Sequence, residues 1–325
     1  FWEYSGNIVG LFWDYSGIIL GMFWHHCGII LGLFWDYSGI TLGIFWQHFW
    51  LIPDVATFFR LPVIKDLNKL DYCVAGVPWD GGTTNRPGAR HGPREIRNAS
   101  SLVRLYHPVS LKSPYDKFNI ADIGDCPVNP ADLNDSLDKI EKFYSNIYNS
   151  KTIPLSIGGD HLISLPILRG IAKEKPVGLF QFDSHSDTWD TYFGGFKYTH
   201  GTPFRRAIEE NLIDPKKYVI LGLRGALYDP EDLSWAREQG VTIITIDDYY
   251  EMGFNKCIEK IYEVLVNTDT YFTFDIDGID PTFAPGTGTP EVGGFNVREA
   301  QTIIRALNKI NFVGGDVVEV SPPFD

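Results

Sequence analysis

Beyond residue 51 the chain alternates short apolar runs, rich in β-branched residues, with longer, charged, helix-like stretches. The predicted strands cover residues 72–77, 153–157, 177–182, 218–223, 241–246, 271–274 and 312–320. The predicted helices cover residues 93–105, 132–149, 165–173, 203–210, 230–239, 255–266 and 296–308. Asn296 and Glu299 fit an N-cap and its capping-box partner in the last of these helices. The alternation predicts an α/β domain with a mostly parallel sheet and helices on both faces.

Side chains with metal-binding chemistry follow three of the predicted strands. The six candidate ligands are His161, Asp183, His185, Asp187, Asp275 and Asp277. Ligands of a parallel sheet bind beyond the carboxyl ends of its strands, so one architecture brings all six to the same edge. Residues 183, 185 and 187 are expected to face one side, since alternate residues of an extended chain point the same way. A single Asp after a strand is usually a turn former or a helix cap. The pattern as a whole favours a metal site.

The composition of this ligand set indicates the kind of metal and the kind of chemistry. Four carboxylates and two imidazoles suit two divalent ions, manganese foremost and zinc, iron or nickel less strictly. Two ions about 3.5–4 Å apart share a water molecule and lower its pKa, which produces a nucleophile at neutral pH. The sequence therefore predicts a hydrolase with two metal ions per chain.

Charge and cysteine usage narrow the class of partner. The chain has 41 acidic and 28 basic residues and a formal net charge of −13. Nucleic acids and anionic membranes bind clustered positive charge, so neither is predicted as a partner, whereas a cationic substrate is compatible. The four cysteines are far apart in the sequence. They are expected to be reduced thiols in a cytosolic protein, with a mitochondrial location left open.

Residues 1–50 form a repeat in which a Phe-Trp pair returns every eleven residues, beginning at Phe1, Phe12, Phe23, Phe34 and Phe45. Most units contain two glycines, which disfavours a stable helix. Before Arg60 there is no Lys or Arg, the residues that a secretory signal or transit peptide needs. We interpret the repeat as a low-complexity extension or a gene-model artefact outside the fold. A membrane or assembly segment is the alternative.

Six segments, residues 156–161, 183–187, 200–204, 274–281, 286–290 and 318–322, together resemble the ureohydrolase family, which includes arginase, agmatinase and the guanidino-acid hydrolases. The resemblance covers residues 52–325, and the loop at 81–90 is similar to the agmatinase branch. One departure is Ser184, where the family usually has Ala. Because neighbouring side chains in a strand point to opposite faces, we expect Ser184 to have little effect on the ligands.

The resemblance implies a three-layer α/β/α fold of the arginase type with a binuclear manganese site. It implies that one ion is held by His161, Asp183, Asp187 and Asp275, and the other by Asp183, His185, Asp275 and Asp277. His200 would carry a proton to the leaving amine, and Asp187 would also contact the nucleophile. Glu319 is expected to pair bidentately with the guanidinium group. Asp160 is expected to orient His161 or its neighbours.

The substrate expected from the resemblance is agmatine, a small cationic guanidino compound, which would give putrescine and urea in polyamine biosynthesis. A guanidino acid, 4-guanidinobutyrate or 3-guanidinopropionate, is the alternative. Loops at 83–90 and 188–196 are expected to contact the substrate tail. Arg86 and Arg90 either meet a carboxylate there or make structural ion pairs. Trp189, Tyr192 and Phe193 are placed to pack against a cation or an aliphatic chain.

The sequence leaves two alternative functions open. The first is an amidohydrolase similar to histone deacetylases, which would hold a single zinc ion. The second is an inactive homologue with a structural or membrane role through residues 1–50. The expected domain spans residues 51–325 and looks truncated at its C-terminus, because the family continues into a helix there. By resemblance alone we expect a homo-oligomer, a trimer or a hexamer.

Overall fold

The computed structural model describes residues 56–325, so the predictions for the repeat at 1–50 lie outside the described residues. Eight strands are present in this part: β1 Tyr72–Val77, β2 Ile120–Asp125, β3 Ile153–Gly158, β4 Val177–Phe182, β5 Ile213–Leu223, β6 Thr242–Thr245, β7 Asp269–Asp275 and β8 Asn311–Val318. They form one sheet in the order β2-β1-β3-β8-β7-β4-β5-β6. Every pairing between these strands is parallel, which confirms the predicted type of sheet.

Eight α-helices of the described part cover the sheet: α1 Gly92–Ser100, α2 Leu133–Asn149, α3 Ser164–Ile171, α4 Pro203–Glu209, α5 Ser234–Gln239, α6 Ile246–Met252, α7 Phe254–Leu265 and α8 Val297–Ala306. Helices α2 to α5 contribute to the apolar core on one face of the sheet. Helices α6 to α8 pack against the other face, where Phe180 and Phe182 of β4 are buried. The three-layer α/β/α architecture is therefore confirmed.

Apolar side chains explain why the central strands are buried on both faces. All six residues of β4 are buried, and its run Val-Gly-Leu-Phe-Gln-Phe has no charged residue. The Phe182 ring stacks on Phe274 of β7 with centroids 4.8 Å apart, and it lies 4.9 Å from Phe295. Burying each such ring contributes about 2–3 kcal/mol, which makes the centre of the sheet a rigid base for the loops above it.

The sheet order brings four particular strands together at its centre. β3, β8, β7 and β4 are adjacent and parallel, so their carboxyl ends lie side by side. The register pairs Phe182 with Phe274 and Asp275 with Val318, so these strands end at nearly the same level. Asp275 ends β7, and the loops that follow these strands carry the other five predicted metal ligands and Glu319.

Several boundaries differ from the prediction. Strand β2 was not predicted, because Ile-Ala-Asp-Ile-Gly-Asp is poor in residues that favour strands and forms an edge strand. Residue 246 was predicted to be strand, whereas α6 begins there behind a capping box of Thr245 and Asp248. The helix predicted to reach residue 105 ends at Ser100. The capping box of Asn296 and Glu299 is confirmed.

A search of the described residues for helices long and apolar enough to cross a membrane finds none.

Candidate metal centre

The candidate ligands are positioned by short, well-capped turns directly after the strands. His161 begins a 3-10 helix, His161–Ile163, whose N-cap Asp160 accepts a hydrogen bond from the Leu162 N–H. Asp275 ends β7 and is itself the N-cap of the 3-10 helix Ile276–Gly278, because its carboxylate accepts from the Asp277 N–H. These turns tie His161, Asp275 and Asp277 to the rigid ends of β3 and β7.

His161 is the centre of the first group of ligands. Its Nδ1 lies 2.8 Å from Asp187 Oδ2, 3.1 Å from Asp275 Oδ2 and 3.2 Å from Asp183 Oδ2. The His161 ring is completely buried, yet Nδ1 has no hydrogen-bond partner among the described residues. We call this group, with Asp183, Asp187 and Asp275, the first subsite.

His185 is the centre of a second group. Its Nδ1 lies 3.1 Å from Asp277 Oδ2 and 3.7 Å from Asp183 Oδ1. Asp183 therefore contributes one oxygen to each group, and the two groups are neighbours. We call the group of Asp183, His185 and Asp277 the second subsite.

The spacing and the chemistry of these atoms fit divalent metal ions. Ligands that lie about 2.1 Å from one ion and at right angles to each other are about 3 Å apart, which is close to the spacings around His161 Nδ1. A buried imidazole nitrogen without a hydrogen bond, facing three carboxylate oxygens, is a costly arrangement unless a cation lies between them. The donor set of oxygens and imidazole nitrogens suits manganese or a similar ion.

Thr273 and Asp316, which lie behind the His161 ring, determine which of its two nitrogens carries the proton. Sequence analysis missed both residues. His161 Nε2 lies 2.8 Å from the Thr273 hydroxyl, which donates to Asp316 Oδ1 over 2.6 Å. A hydroxyl has one proton and a carboxylate only accepts, so Thr273 must accept the hydrogen bond from His161 Nε2–H. Nδ1 then carries the lone pair that faces the carboxylates.

Asp316 is buried and is held by three hydroxyl groups. Besides Thr273, it accepts hydrogen bonds from Tyr271 over 2.8 Å and from Ser164 over 2.6 Å. Burial raises the pKa of Asp316, while His161 and these hydroxyls oppose that rise. Thr273 and Asp316 lie inside strands and look like ordinary polar residues in the sequence, and only the register of β7 and β8 shows their pairing.

The expectation that Ser184 has little effect on the ligands is wrong. Its hydroxyl donates to Asp277 Oδ1 over 2.7 Å, and its backbone N–H donates to the same oxygen over 3.2 Å. Strand β4 ends at Phe182, so the alternation of an extended chain does not apply at residue 184. Asp183, His185 and Asp187 still converge, and Asp187 does so with a left-handed φ of 51°.

With no cation bound, two acids of this centre, Asp183 and Asp275, hold protons more tightly than an exposed carboxyl group does. Burial, followed by the charges of Asp187 and Asp277, raises the pKa of Asp183 to about 7. Burial and neighbouring carboxylates also raise the pKa of Asp275 well above its ordinary value. Burial opposes ionisation of His161, but the surrounding carboxylates raise the pKa of its ring well above the ordinary range. A divalent cation would displace these protons.

His200 and Glu319 form a second element beside the ligands. His200 Nδ1 lies 2.9 Å from Glu319 Oε1, and the same oxygen accepts from the His161 N–H over 2.9 Å. Glu319 Oε2 is buried without a hydrogen-bond partner in the described part of the chain. The expected bidentate pairing is therefore limited, because Oε1 is engaged twice and Oε2 is the free acceptor. Glu319 has a left-handed φ of 62°, a conformation that β-strand patterning does not predict.

The other side of His200 contacts the loop at 81–90. His200 Nε2 accepts a hydrogen bond from the Thr84 N–H over 3.2 Å and lies 2.6 Å from the Thr84 hydroxyl, contacts that sequence analysis missed. Burial opposes protonation of this ring, but the Glu319 charge and its hydrogen bond raise the pKa of His200 to about 9. Asp160 fixes this loop, because its Oδ2 accepts from the Gly82 N–H over 2.6 Å. Asp160 thus orients neighbours of His161 rather than the His161 ring.

The residues expected to contact a substrate tail have separate surroundings. Arg90 makes an ion pair with buried Asp80, which is the structural alternative for this residue. The Arg86 guanidinium lies 4.2 Å from the centroid of the Phe324 ring. Trp189 packs against Tyr192 and against Tyr228, with ring centroids 5.8 Å and 5.5 Å apart.

Known proteins are similar to this chain in sequence and in structure. A sequence profile described as "Arginase family" matches residues 70–325. The chain is 54% identical over 271 residues to guanidinopropionase of Pseudomonas aeruginosa, covering 83% of this chain and 85% of that protein. It is 42% identical over 272 residues to the mitochondrial agmatinase of Gallus gallus, covering 83% and 80%. The solved structure of proclavaminate amidino hydrolase from Streptomyces clavuligerus matches with a TM-score of 0.81 and 39% identity, covering 85% of this chain and 91% of that one.

Proposed function

We propose that this chain, which belongs to the arginase family and is a hydrolase, uses two divalent metal ions to cleave a guanidino compound to urea and an amine. Manganese is the proposed metal, because carboxylate oxygens and imidazole nitrogens form the ligand set. The observation that carries the proposal is the buried Nδ1 of His161, which has three carboxylate oxygens within 3.2 Å and no hydrogen-bond partner among the described residues.

The proposal assigns the ligands as follows. The first ion is held by His161, Asp183, Asp187 and Asp275, and the second by Asp183, His185, Asp275 and Asp277. When bound, a pair of divalent ions lowers the pKa of water so that a nucleophile is present at neutral pH. Asp187 is proposed to hydrogen-bond this nucleophile in addition to its role as a ligand. A single-zinc site does not account for two neighbouring groups that share Asp183.

Glu319 is proposed to hold the guanidinium group of the substrate. Its free oxygen Oε2 is buried without a partner among the described residues, and an unpaired buried carboxylate oxygen is costly. A planar guanidinium carries N–H donors and a positive charge, so it satisfies that oxygen with a charge-assisted hydrogen bond. The two hydrogen bonds to Oε1 keep the carboxylate oriented for this contact.

His200 is proposed to supply the proton that the leaving amine needs. Without metal ions the Glu319 charge raises its pKa to about 9, which favours the protonated ring that a general acid needs. Glu319 orients the ring through Nδ1, and the Thr84 hydroxyl next to Nε2 can pass a proton on. General acid catalysis of this kind contributes typically about 100- to 10,000-fold in rate.

For the substrate tail we propose a guanidino acid ahead of agmatine. The relative named guanidinopropionase is more similar to this chain, at 54% identity, than the agmatinase at 42%. Arg86 makes no ion pair with a carboxylate among the described residues, so its charge is available to a substrate carboxylate. Gly288 lies between the main chain of Arg86 and the Glu319 carboxylate, because a Cβ added at Gly288 would lie 3.6 Å from Arg86 O and 3.5 Å from Glu319 Oε2. The Arg86 main chain is therefore near the oxygen that is proposed to hold the guanidinium group.

Agmatine is the second candidate, and one observation favours it. Glu291 is 34% exposed and its Oε1 lies 3.6 Å from His185 Nε2, so a negative charge borders the second subsite. An ammonium tail that reaches this side would be attracted to that charge. The two tails therefore call for contacts with different residues, Arg86 for a carboxylate and Glu291 for an ammonium group.

A urea-release assay with four substrates, with and without added manganese, tests both the proposed reaction and the proposed order of substrates. The substrates are 3-guanidinopropionate, 4-guanidinobutyrate, agmatine and arginine. We expect the guanidino acids to be cleaved with the highest kcat/KM, and Arg86→Gln to lower kcat/KM for them by about 10-fold, the value of one charged contact, while sparing agmatine. Arg94→Gln removes an exposed charge near the same loop and serves as the control. Absence of urea from all four substrates would refute the function, and highest activity on agmatine would refute the order of tails.

A further inference from the structure

The segment at 188–196 forms a loop whose aromatic residues lie against the turn that carries His200. The Trp189 N–H donates a hydrogen bond to the Gly201 carbonyl over 3.1 Å. A Cβ added at Gly201 would lie 2.7 Å from Tyr192 Oη, which is closer than real Cβ contacts, so the Tyr192 ring lies directly against the residue that follows His200. We call residues 188–196 the aromatic loop.

The tip of the aromatic loop is held only by the loop itself. Phe193 is 75% exposed and Phe196 is 59% exposed, so neither side chain anchors the tip in the core. The main-chain hydrogen bonds at the tip join Tyr192 to Gly195 and Phe196, and therefore remain within the loop. The position of the loop on the protein must come from its first residues.

Arg206 of α4 provides the anchor. Its Nη1 donates to the main-chain carbonyl of Asp190 over 2.9 Å, and its Nη2 donates to Asp190 Oδ1 over 2.8 Å. Arg206 is only 3% exposed, and a guanidinium that is buried to this extent is costly unless it is paired. Of residues 189–196, Asp190 is the only one whose side chain makes a hydrogen bond in the part of the chain that the structure describes.

Helix α4 also contacts the candidate metal centre, so it connects the aromatic loop to that centre. The Phe204 N–H donates to the carbonyl of the proposed ligand Asp187 over 3.2 Å. The Phe204 ring packs edge-on against the His161 ring, with centroids 5.0 Å apart. The first two turns of one helix thus hold the main chain of Asp187 and, three residues further along, that of Asp190.

We propose that Arg206 and Asp190 are positioning residues, whose ion pair holds the aromatic loop so that Trp189 and Tyr192 form one wall of the space for the substrate tail. This inference rests on the proposed function, because it requires a guanidino compound bound beside His200. An aliphatic tail packs against the rings, and a wall that is already fixed lowers the conformational cost of binding it. Neither side chain of the pair hydrogen-bonds a proposed metal ligand among the described residues, so the pair affects binding of the tail rather than the metal.

Asp190→Ala tests the role of the pair without leaving a buried charge unpaired. The Asp190 side chain is 59% exposed, and Arg206 keeps Glu209 as a partner at 2.8 Å, so the variant should fold. With the most active of the four guanidino substrates, we expect KM to rise about 10-fold, the value of one charge-assisted hydrogen bond. A rise in KM at constant kcat is the signature of lost binding that substrate and transition state share. Elemental analysis should find the same manganese content as in the wild type.

Two further variants serve as controls. Glu209→Ala removes the other carboxylate of Arg206, which does not belong to the aromatic loop, and should leave KM unchanged. Asp190→Asn removes the charge but keeps an acceptor oxygen for Arg206, so it should restore most of the wild-type KM. A general effect of surface charge would change KM equally in Asp190→Asn and Asp190→Ala.

Limited proteolysis with chymotrypsin measures the loop without any substrate. Cleavage after the exposed Phe193 or Phe196 requires local opening of the loop. We expect this cleavage to be faster in Asp190→Ala than in the wild type or in Glu209→Ala. Equal cleavage in all three proteins would show that the pair does not hold the loop and would overturn the inference.

The kinetic outcomes separate this inference from the proposed function. An unchanged KM in Asp190→Ala, beside an active wild type, overturns the positioning role even if the loop opens more often. A lower kcat at constant KM, or a loss of manganese, also overturns it, because the pair would then act on the reaction or on the metal. A wild type that releases no urea from any of the four substrates overturns the proposed function, and the inference falls with it.

Discussion

Thr273 and Asp316 are partners in the register of β7 and β8, and the Thr273 hydroxyl donates to the Asp316 carboxylate over 2.6 Å. Since the same hydroxyl accepts from His161 Nε2–H, the pair determines which nitrogen of His161 is free to bind a metal. The geometry of the candidate metal centre thus depends on two residues that lie behind its proposed ligands.

The first prediction concerns Thr273→Val. This change keeps the shape of the side chain and removes the hydroxyl, so the tautomer of His161 is no longer determined. We expect the affinity for the first manganese ion to fall about 10- to 100-fold, measured by calorimetric titration. Thr270→Val, a buried position in the same strand whose hydroxyl bonds the Thr268 carbonyl, is the control. An unchanged affinity in Thr273→Val would show that the hydrogen bond from His161 Nε2 to Thr273 does not affect metal binding.

The second prediction concerns His200→Asn. The variant lacks the proton donor but keeps a polar side chain, and none of the proposed ligands is altered. We expect kcat for urea release to fall about 100- to 10,000-fold, while elemental analysis still finds two manganese ions per chain. Substitution of exposed His107 by Asn should change neither quantity. Loss of metal from His200→Asn would refute its assignment as a proton donor and make it part of the metal site.

The third prediction concerns the pH dependence of catalysis. In the metal-free structure the Glu319 charge raises the pKa of His200 against the effect of burial, so activity that needs the protonated ring should fall as the pH rises into the alkaline range. In Glu319→Gln the charge is absent and the imidazolium loses its partner, so the pKa of His200 should drop. We expect the alkaline limb of the kcat profile to move to lower pH by about one unit or more. An alkaline limb that stays in place would mean that another group controls it.

The fourth prediction concerns stability in the absence of metal. Burial and neighbouring acids raise the pKa of Asp183 to about 7, and burial with the Glu319 charge raises the pKa of Asp160 to about 8. Between the ordinary carboxyl pKa near 3.8 and these values, the folded state binds protons that the unfolded state has lost. The contribution to stability is therefore complete at low pH and is lost as pH rises through this window.

The measurement is the Tm of the chelator-treated protein, with and without added manganese. We expect the Tm without manganese to be lower at pH 8 than at pH 5, and the increase caused by manganese to be larger at pH 8. A difference of about 4 °C or more between the two pH values corresponds to between one and two kcal/mol for a domain of this size. If manganese raised the Tm equally at both pH values, that result would contradict the protons inferred on Asp160 and Asp183 in the metal-free protein.

Much of the metal centre is visible in the sequence for a simple physical reason. Strands buried on both faces are continuous apolar runs, so a charged residue such as Asp183 or Asp275 marks the point where the strand ends. Because parallel strands present their carboxyl ends at one edge, the sequence alone predicts that the six proposed ligands share one site. The type of sheet, most helices and the capping box at Asn296 are predictable in the same way.

Other features depend on contacts that no local pattern encodes. Thr84, Thr273 and Asp316 act through partners far away in the chain, and Ser184 lies where the extended backbone has already ended. The edge strand β2 has few residues that favour strands, so its pairing with β1 comes from the tertiary fold. The left-handed backbones of Asp187 and Glu319 are held by their surroundings against their own preference.

The sequence by itself determined which chemical groups stand at the strand ends and that they suit divalent ions. Only the tertiary structure decided that β3, β8, β7 and β4 are neighbours, and therefore that His161 lies within 3.2 Å of carboxylates 22, 26 and 114 residues further along the chain. The physical reason is that strands pair through backbone groups that are the same in every residue. Their order follows from how whole faces of side chains pack, which no single segment contains.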